Sequence, residues 1–396
     1  MEAYGTMIKI IKNGSVYAPE FRGKQDILIV KDTIIKMAGE IAIPDPLFYK
    51  VEVIDATGKI VVPGFIDSHV HIIGGGGEGG FRTRTPEIGL SELIKAGITT
   101  VVGCLGTDAT TRHMTSLLAK ARALEEEGLS AFIYTGSYQF PIQTITGNCR
   151  DDLILIDKVI GVGEVAVADH RSSQPTAEEF AKMAAYARVG GLLSGKAGII
   201  NVHLGEGRSG LKFLLELVAN TEIPIRQFLP THINRNKELL AEGVNFVKAG
   251  GVIDLTTSGN YENEEERLMS PANVITYLLE EGVPLDTITF SSDGNGSLPI
   301  FDKGGNFQGL GIGSVRSLFG EVKKAILEHG LKLSDGLQFI TENVAQRLQL
   351  EDWGKLAAGK RADLNILNSE LELETVICGG KLMMQDGEVL SKGIYE

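Results

Sequence analysis

The middle of the chain alternates between two kinds of segment. Eight short apolar runs, Gly64–His69, Thr99–Gly103, Ala131–Thr135, Val159–Val167, Ile199–His203, Phe228–His232, Val252–Thr256 and Thr287–Ser292, read as buried strands. Helical patterns lie between them, among them Thr111–Glu127, Ala177–Val189, Arg235–Ala249 and Pro271–Glu281. Strands in regular alternation with helices imply a parallel sheet covered by helices, and eight such units close into a (β/α)8 barrel. An open doubly wound sheet is the alternative.

The two ends differ from the middle. Ile8–Ile11, Asp26–Val30, Ile34–Met37 and Val51–Ile54 are β-like runs, with hairpin character at Asn13-Gly14. Ala362–Leu367, Leu373–Cys378 and Lys381–Met384 repeat the style, with Asp386-Gly387 as a hairpin turn. The expected fold class is therefore α/β: a metal-dependent (β/α)8 TIM barrel over residues 63–356, with a small β-sandwich domain built from residues 1–62 and 357–396. At 396 residues and 43% hydrophobic content, the chain can bury one large core and a smaller one. Its 49 glycines, many at the ends of apolar runs, fit a protein with many strand-to-loop turns. Solenoid repeats, low-complexity tracts and coiled-coil heptads are absent from the sequence.

Charge and cysteines narrow the partners. A net charge of −13 without a basic cluster argues against nucleic acid and anionic membrane. No apolar run is long enough for a membrane span, and Met1–Ile11 does not read as a signal peptide. Cys104, Cys149 and Cys378 are widely spaced, which fits a reduced cytoplasm with each thiol as a small buried hydrophobe.

Within Pro63-Gly64-Phe65-Ile66-Asp67-Ser68-His69-Val70-His71, alternate residues share a face, so His69 and His71 point the same way. Two imidazoles at the carboxyl end of a buried strand can grip a divalent metal. A bare His-x-His is more often a hydrogen-bonded pair near a turn, but here the other strand ends carry Glu164, His203, His232 and Asp293. His113, His170 and His329 fall in helix ends or loops and read as ordinary residues. Four imidazoles and two carboxylates suffice for two metal ions, zinc by ligand type, with manganese or cobalt as replacements. Glu164 can bridge the pair, and Asp293, otherwise a turn cap, can shuttle a proton beside metal-activated water.

This set, His-x-His on strand 1, histidines on strands 5 and 6 and aspartate on strand 8, resembles the amidohydrolase superfamily. The run Gly354-Lys355-Leu356 to Gly359-Lys360-Arg361-Ala362-Asp363-Leu364 is similar to that superfamily's return into its β-sandwich. The loops Gly74–Gly80, Gly106-Thr107-Asp108, Thr135–Tyr138, Asp169–Ser172, Thr231–Asn236 and Ser291–Ser297 together resemble the isoaspartyl dipeptidase family, essentially end to end. That resemblance implies hydrolysis of the isopeptide bond of β-aspartyl dipeptides by a metal-bridging hydroxide, with Asp293 as general base and then acid. It also implies a homo-oligomer, an octamer by that likeness.

The residue types suit such a substrate. Glu78, on its glycine loop, can take the ammonium, and Arg171 and Arg235 can fork onto the carboxylates. Thr107 and Ser297 can donate further hydrogen bonds, and Tyr138 can donate to the oxyanion. Gly74–Gly80 and Gly294–Ser297 are the candidate segments for closing over the substrate.

One position departs from the family. Its members bridge the metals with a carboxylated lysine on strand 4, whereas alignment back from Asp169-His170-Arg171 places Glu164 there. Glutamate brings a carboxylate without carbon dioxide, but it is shorter, so the backbone must approach more closely or the metals must shift. Gly163 permits that approach. A structural glutamate beside a single metal is the alternative. Two rival readings remain: a cyclic amidase of the dihydroorotase or hydantoinase type, which has no need of Arg171, Arg235 and Glu78 together, and a non-catalytic scaffold, whose mark would be lost ligands.

Overall fold

The computed structural model describes residues 8–45, 50–259, 264–301 and 307–396. Eight strands follow one another in chain order: β1 (Phe65–Val70), β2 (Ile98–Gly103), β3 (Ser130–Thr135), β4 (Val159–Val167), β5 (Ile199–Leu204), β6 (Phe228–Thr231), β7 (Ile253–Thr256) and β8 (Ile288–Ser291). The first six form one parallel sheet in that order, and β7 pairs with β8. Two polar links close the ring. Thr231 Oγ1 donates to Asp254 Oδ2 at 2.7 Å between β6 and β7, and Ser292 N donates to Asp67 Oδ1 at 3.1 Å between β8 and β1.

The intervening helices follow their end signals. Helix α1 (Met114–Glu127) stops at Gly128, whose φ of 111° lies in the left-handed region. Its amino end begins later than the periodicity predicts, because Asp108 Oδ1 accepts from Thr110 N (3.0 Å) and Thr111 N (2.8 Å) and holds them in a turn. Helix α2 (Ala177–Ser194) opens on a capping box between Thr176 and Glu179. It runs past the predicted end at Val189 through Gly190-Gly191. A Cβ on Gly190 would meet Arg150 O at 3.0 Å and one on Gly191 would meet Gly198 Cα at 2.9 Å, so the pair lets the helix lie close to its neighbours.

The barrel interior is layered. Ile66, Val102, Tyr134, Ile160, Ile199 and Leu229 fill the amino-terminal half with Val344 of helix Glu342–Arg347 and Leu348, just after it, beneath them. Each such side chain contributes roughly 1.5–3 kcal/mol by burial. Above this floor, Asp254 accepts from Thr231, Thr289 and Ser291 at 2.5–2.7 Å, joining β6, β7 and β8. The imidazoles come above that, at the strand ends.

Segments from both ends build one nine-stranded mixed sheet folded over its own core of Ile11, Val16, Ile27, Ile29, Ile34, Val61, Leu364, Ile366 and Ile377. Strand Ile8–Tyr17 joins its parts, pairing with Val51–Asp55 over its first half and with Ile60–Pro63 over its second. Asn13-Gly14 is not a hairpin turn. The strand runs through it as a bulge with Asn13 at φ 63°, and Asp26 on the neighbouring strand captures Asn13 N at 2.9 Å and pairs with Lys12. A local turn signal yields here to a carboxylate across the ladder. Asp386-Gly387 is the expected two-residue turn between Lys381–Gln385 and Glu388–Val389.

Candidate active site

His69 and His71 leave the end of β1 on one face, as the strand period requires, with ring centroids 5.6 Å apart. Glu164, in β4, lies between the histidines of opposite walls. Its Oε2 is 3.4 Å from His69 Nε2, 3.1 Å from His203 Nδ1 and 3.7 Å from His232 Nε2, and its Oε1 is 3.4 Å from His71 Nε2. Gly163 lets the backbone just before Glu164 pack closely on β5. A Cβ there would meet Asn201 Cβ at 2.8 Å and Asn201 O at 2.9 Å.

Asp293 meets the cluster from β8, with Oδ1 3.1 Å from His71 Nε2 and 3.6 Å from His69 Nε2. Its backbone and that of His232 adopt left-handed φ values of 51° and 63°, rare for residues with a Cβ and costing on the order of 1 kcal/mol or more. The turn that carries Asp293 is tied to β1: His71 N donates to Gly294 O (2.9 Å), and Asn295 Nδ2 donates to His71 O (3.0 Å).

Tyr138 OH lies 2.8 Å from His203 Nδ1, and the Arg171 guanidinium sits 5.3 Å from the centre of the Tyr138 ring. Arg171 forks onto Asp169 at 3.0 and 2.8 Å and reaches Glu78 at 3.5 Å. Glu78 also accepts from Thr107 Oγ1 at 2.6 Å. Arg235 donates from Nε to Leu204 O at 3.0 Å. His71, Glu78, Thr107, Tyr138, Arg171, His203, His232, Arg235, Asp293 and Ser297 line one cavity of about 430 Å³, and the buried His69 and Glu164 lie outside its lining. Leu298, Pro299 and Leu310 of the hairpin Ser297–Phe301/Phe307–Ile312 border the same cavity.

Several residues that hold this site were not singled out from the sequence. Asp169 served there only as an alignment landmark, yet its Oδ2 sits 3.0 Å from His203 Nε2 while Arg171 grips both its oxygens. Thr256 Oγ1 holds His232 Nδ1 at 2.6 Å, and its place at a strand end was the available signal. Arg112 is buried and donates to the carbonyls of Ile73, Gly75, Gly76 and Thr85, at 2.7–3.3 Å, clamping the base of the glycine loop that carries Glu78. Cys104 is buried as expected, but not merely as a small hydrophobe: its Sγ is 3.9 Å from His71 Nδ1. His170 is exposed.

Charge and burial oppose each other throughout the cluster. Burial raises Glu164 and Asp293, but the surrounding histidines outweigh it and hold both well below the usual carboxylate range. Burial opposes charge on His69 and His71, yet Cys104 with Glu164 or Asp293 raises both above the ordinary imidazole value. Burial and His203 push His232 down to about 3, keeping it neutral as a ligand must be. Burial raises Tyr138, which stays a protonated donor at neutral pH. Both ring nitrogens of His69 are buried without a hydrogen-bond partner, a condition a bound ion would relieve. Ligand atoms of His69, His71, Cys104 and Glu164 lie within 4.8 Å of one another, as do those of Glu164, His203 and His232. The histidine and carboxylate donors among them fit a divalent metal.

Residues 60–383 match the amidohydrolase family. The chain belongs to the amidohydrolase family. Among solved structures, this amidohydrolase is 47% identical to a β-aspartyl dipeptidase of Fervidobacterium islandicum AW-1 determined in complex with β-Asp-Leu, covering 97% of this chain and 98% of that one with a TM-score of 0.88. A second structure of a β-aspartyl dipeptidase from that organism aligns at 44% identity over the same shares with a TM-score of 0.87. The family and fold expectations drawn from the strand-end residues are thus met. Curated relatives match more distantly. Adenine deaminase 2 of Rhizobium etli is 23% identical over 343 residues, 86% of this chain and 51% of that protein. A dihydroorotase of Solibacter usitatus is 33% identical over 164 residues, 40% of this chain and 34% of that protein. The chain spans about half the length of the first and a third of the second. Among the described residues, no helix is long and apolar enough to cross a membrane.

Proposed function

We propose that this amidohydrolase is a metal-dependent isoaspartyl dipeptidase, hydrolysing the isopeptide bond of β-aspartyl dipeptides. The observation that carries the reading is one cavity in which an acid, Glu78, and two guanidinium groups, Arg171 and Arg235, surround Tyr138 and Asp293. A β-aspartyl dipeptide presents one ammonium and two carboxylates around its scissile amide, to which Glu78 and the two arginines offer opposite charge, Arg171 while its fork stays on Asp169. The likeness to the Fervidobacterium enzyme over nearly the whole chain supports the same reading.

His69, His71, Glu164, His203, His232 and Asp293 would hold the metal, two Zn2+ ions with Mn2+ or Co2+ as replacements, and Glu164 would supply the carboxylate that a carboxylated lysine brings in the family. A bound metal supplies Lewis acidity that ionises water near neutral pH. The chain's own groups do the rest. Glu78 and the two arginines orient the substrate, and Thr107 and Ser297 add hydrogen bonds. Tyr138 OH donates to the carbonyl oxygen as it becomes tetrahedral. Asp293, ionised and open to the cavity, takes the proton of the attacking water and delivers it to the leaving amine nitrogen, so the products are aspartate and the second amino acid.

Assembly as a homo-oligomer, an octamer by family likeness, and a cytoplasmic site of action belong to this proposal. Exposed apolar side chains on neighbouring helices, Leu155, Leu192 and Leu193, support association, which light scattering would read.

The test is zinc-supplemented hydrolysis of β-Asp-Leu beside α-Asp-Leu, with dihydroorotate as control because of the partial dihydroorotase match. Cleavage of the β isomer alone is expected. Ring opening without dipeptide cleavage would replace this reading with a cyclic amidase. A protein inert on all substrates and devoid of metal would move the scaffold reading to the front.

A further inference from the structure

Three of the four histidines in the cluster have one ring nitrogen facing Glu164 and the other facing a neighbour behind it. For His203 that neighbour is Asp169, 3.0 Å from Nε2, and for His232 it is Thr256, 2.6 Å from Nδ1. His71 turns Nε2 toward Asp293 (3.1 Å) and Glu164 (3.4 Å), and behind it stands the Cys104 sulfur, 3.9 Å from Nδ1. Cys104 directly follows β2 and is fully buried, with its N–H donating to Val70 O at 3.1 Å, so the backbone on either side of this contact is fixed. His69, the fourth histidine, turns Nε2 toward Glu164 at 3.4 Å, and among the described residues neither of its nitrogens has a hydrogen-bond partner.

We propose that Cys104 is a positioning residue of the metal centre: its sulfur accepts the His71 Nδ1–H and so commits Nε2 to the Glu164–Asp293 side. The inference rests on the metal-dependent reading above and adds to it a residue outside the ligand set. The ring nitrogen that binds a metal is set by the hydrogen bond the other one makes, and losing such an outer partner costs metal affinity about 10–100-fold. A thiol is a weak acceptor, so His71 is oriented with less added basicity than Asp169 gives His203.

The experiment measures zinc and cobalt affinity, by chelator competition on metal-free full-length protein, for wild type, Cys104→Ser and Cys104→Ala. The expected order is wild type, then Ser within a few-fold, then Ala about tenfold or more weaker, because only serine retains an acceptor. A packing role predicts the reverse, since a hydroxyl in an apolar site is worse than a methyl, and equal affinities or Ala above Ser would overturn the proposal. Should the variants not fold, X-ray absorption of the zinc-loaded wild type decides. No sulfur neighbour of zinc is expected, and a shell at about 2.3 Å would overturn the proposal by making Cys104 a direct ligand. Metal uptake with no β-Asp-Leu cleavage would sink only the substrate reading. A wild type that takes up no metal would sink the metal-dependent reading and this proposal with it.

Discussion

Asp254 and Glu164 are both fully buried in the same barrel and are shifted in opposite directions. Asp254 lies among hydroxyls from Thr231, Thr289 and Ser291; burial raises it above the ordinary carboxylate value, and those hydrogen bonds recover only part of the shift. Glu164 lies among four imidazoles, which overcome the same burial and hold it far below that value. Hydroxyls can satisfy a carboxylate without neutralising it, so the Asp254 layer ties strands together. Imidazoles bring charge or a metal with them, so the Glu164 layer is poised for chemistry.

The comparison breaks first at its two centres. Glu164→Ala should abolish metal retention, read by elemental analysis, and lower β-Asp-Leu turnover at least about 10³-fold; a variant keeping its metals and full activity would rule out bridging. Asp254→Ala should leave metal content unchanged while costing about 3 kcal/mol in urea unfolding, because three buried hydroxyls lose their acceptor. Asp293→Asn should lower kcat about 10³-fold with KM within a few-fold, as expected for a lost proton carrier. Tyr138→Phe should lower kcat about 10²-fold, and a change confined to KM would reassign the ring to binding.

The smallest effect is a pH dependence. A carboxyl raised on folding contributes stability present below its unfolded value, about 4, and lost as pH rises through the higher folded value. The stability of wild type relative to Asp254→Asn should therefore fall as pH rises above about 4, read from urea midpoints. A constant difference would mean that the hydroxyls satisfy the ionised form as well as the neutral one.

Much of this site was legible because barrel strands order their ends. A period of two puts His69 and His71 on one face, and the alternation of elements ranks Glu164, His203, His232 and Asp293 around a rim before any distance is known. The hairpin expected at Asn13-Gly14 failed because Asp26, distant in sequence, captures the bulge from the neighbouring strand. Asp169, Thr256, Arg112 and Cys104 were missed as supports for a similar reason, since each acts on a group supplied by another segment.

By itself, then, the sequence determined the barrel, its order of strand ends and the chemical types assembled there, because those depend on periodicity and composition along the chain. The tertiary structure decided which nitrogen of each histidine faces inward, which carboxylate is structural and which reactive, and what clamps the Glu78 loop. These depend on side chains crossing a few ångströms between neighbouring strands, a distance that sequence separation does not encode.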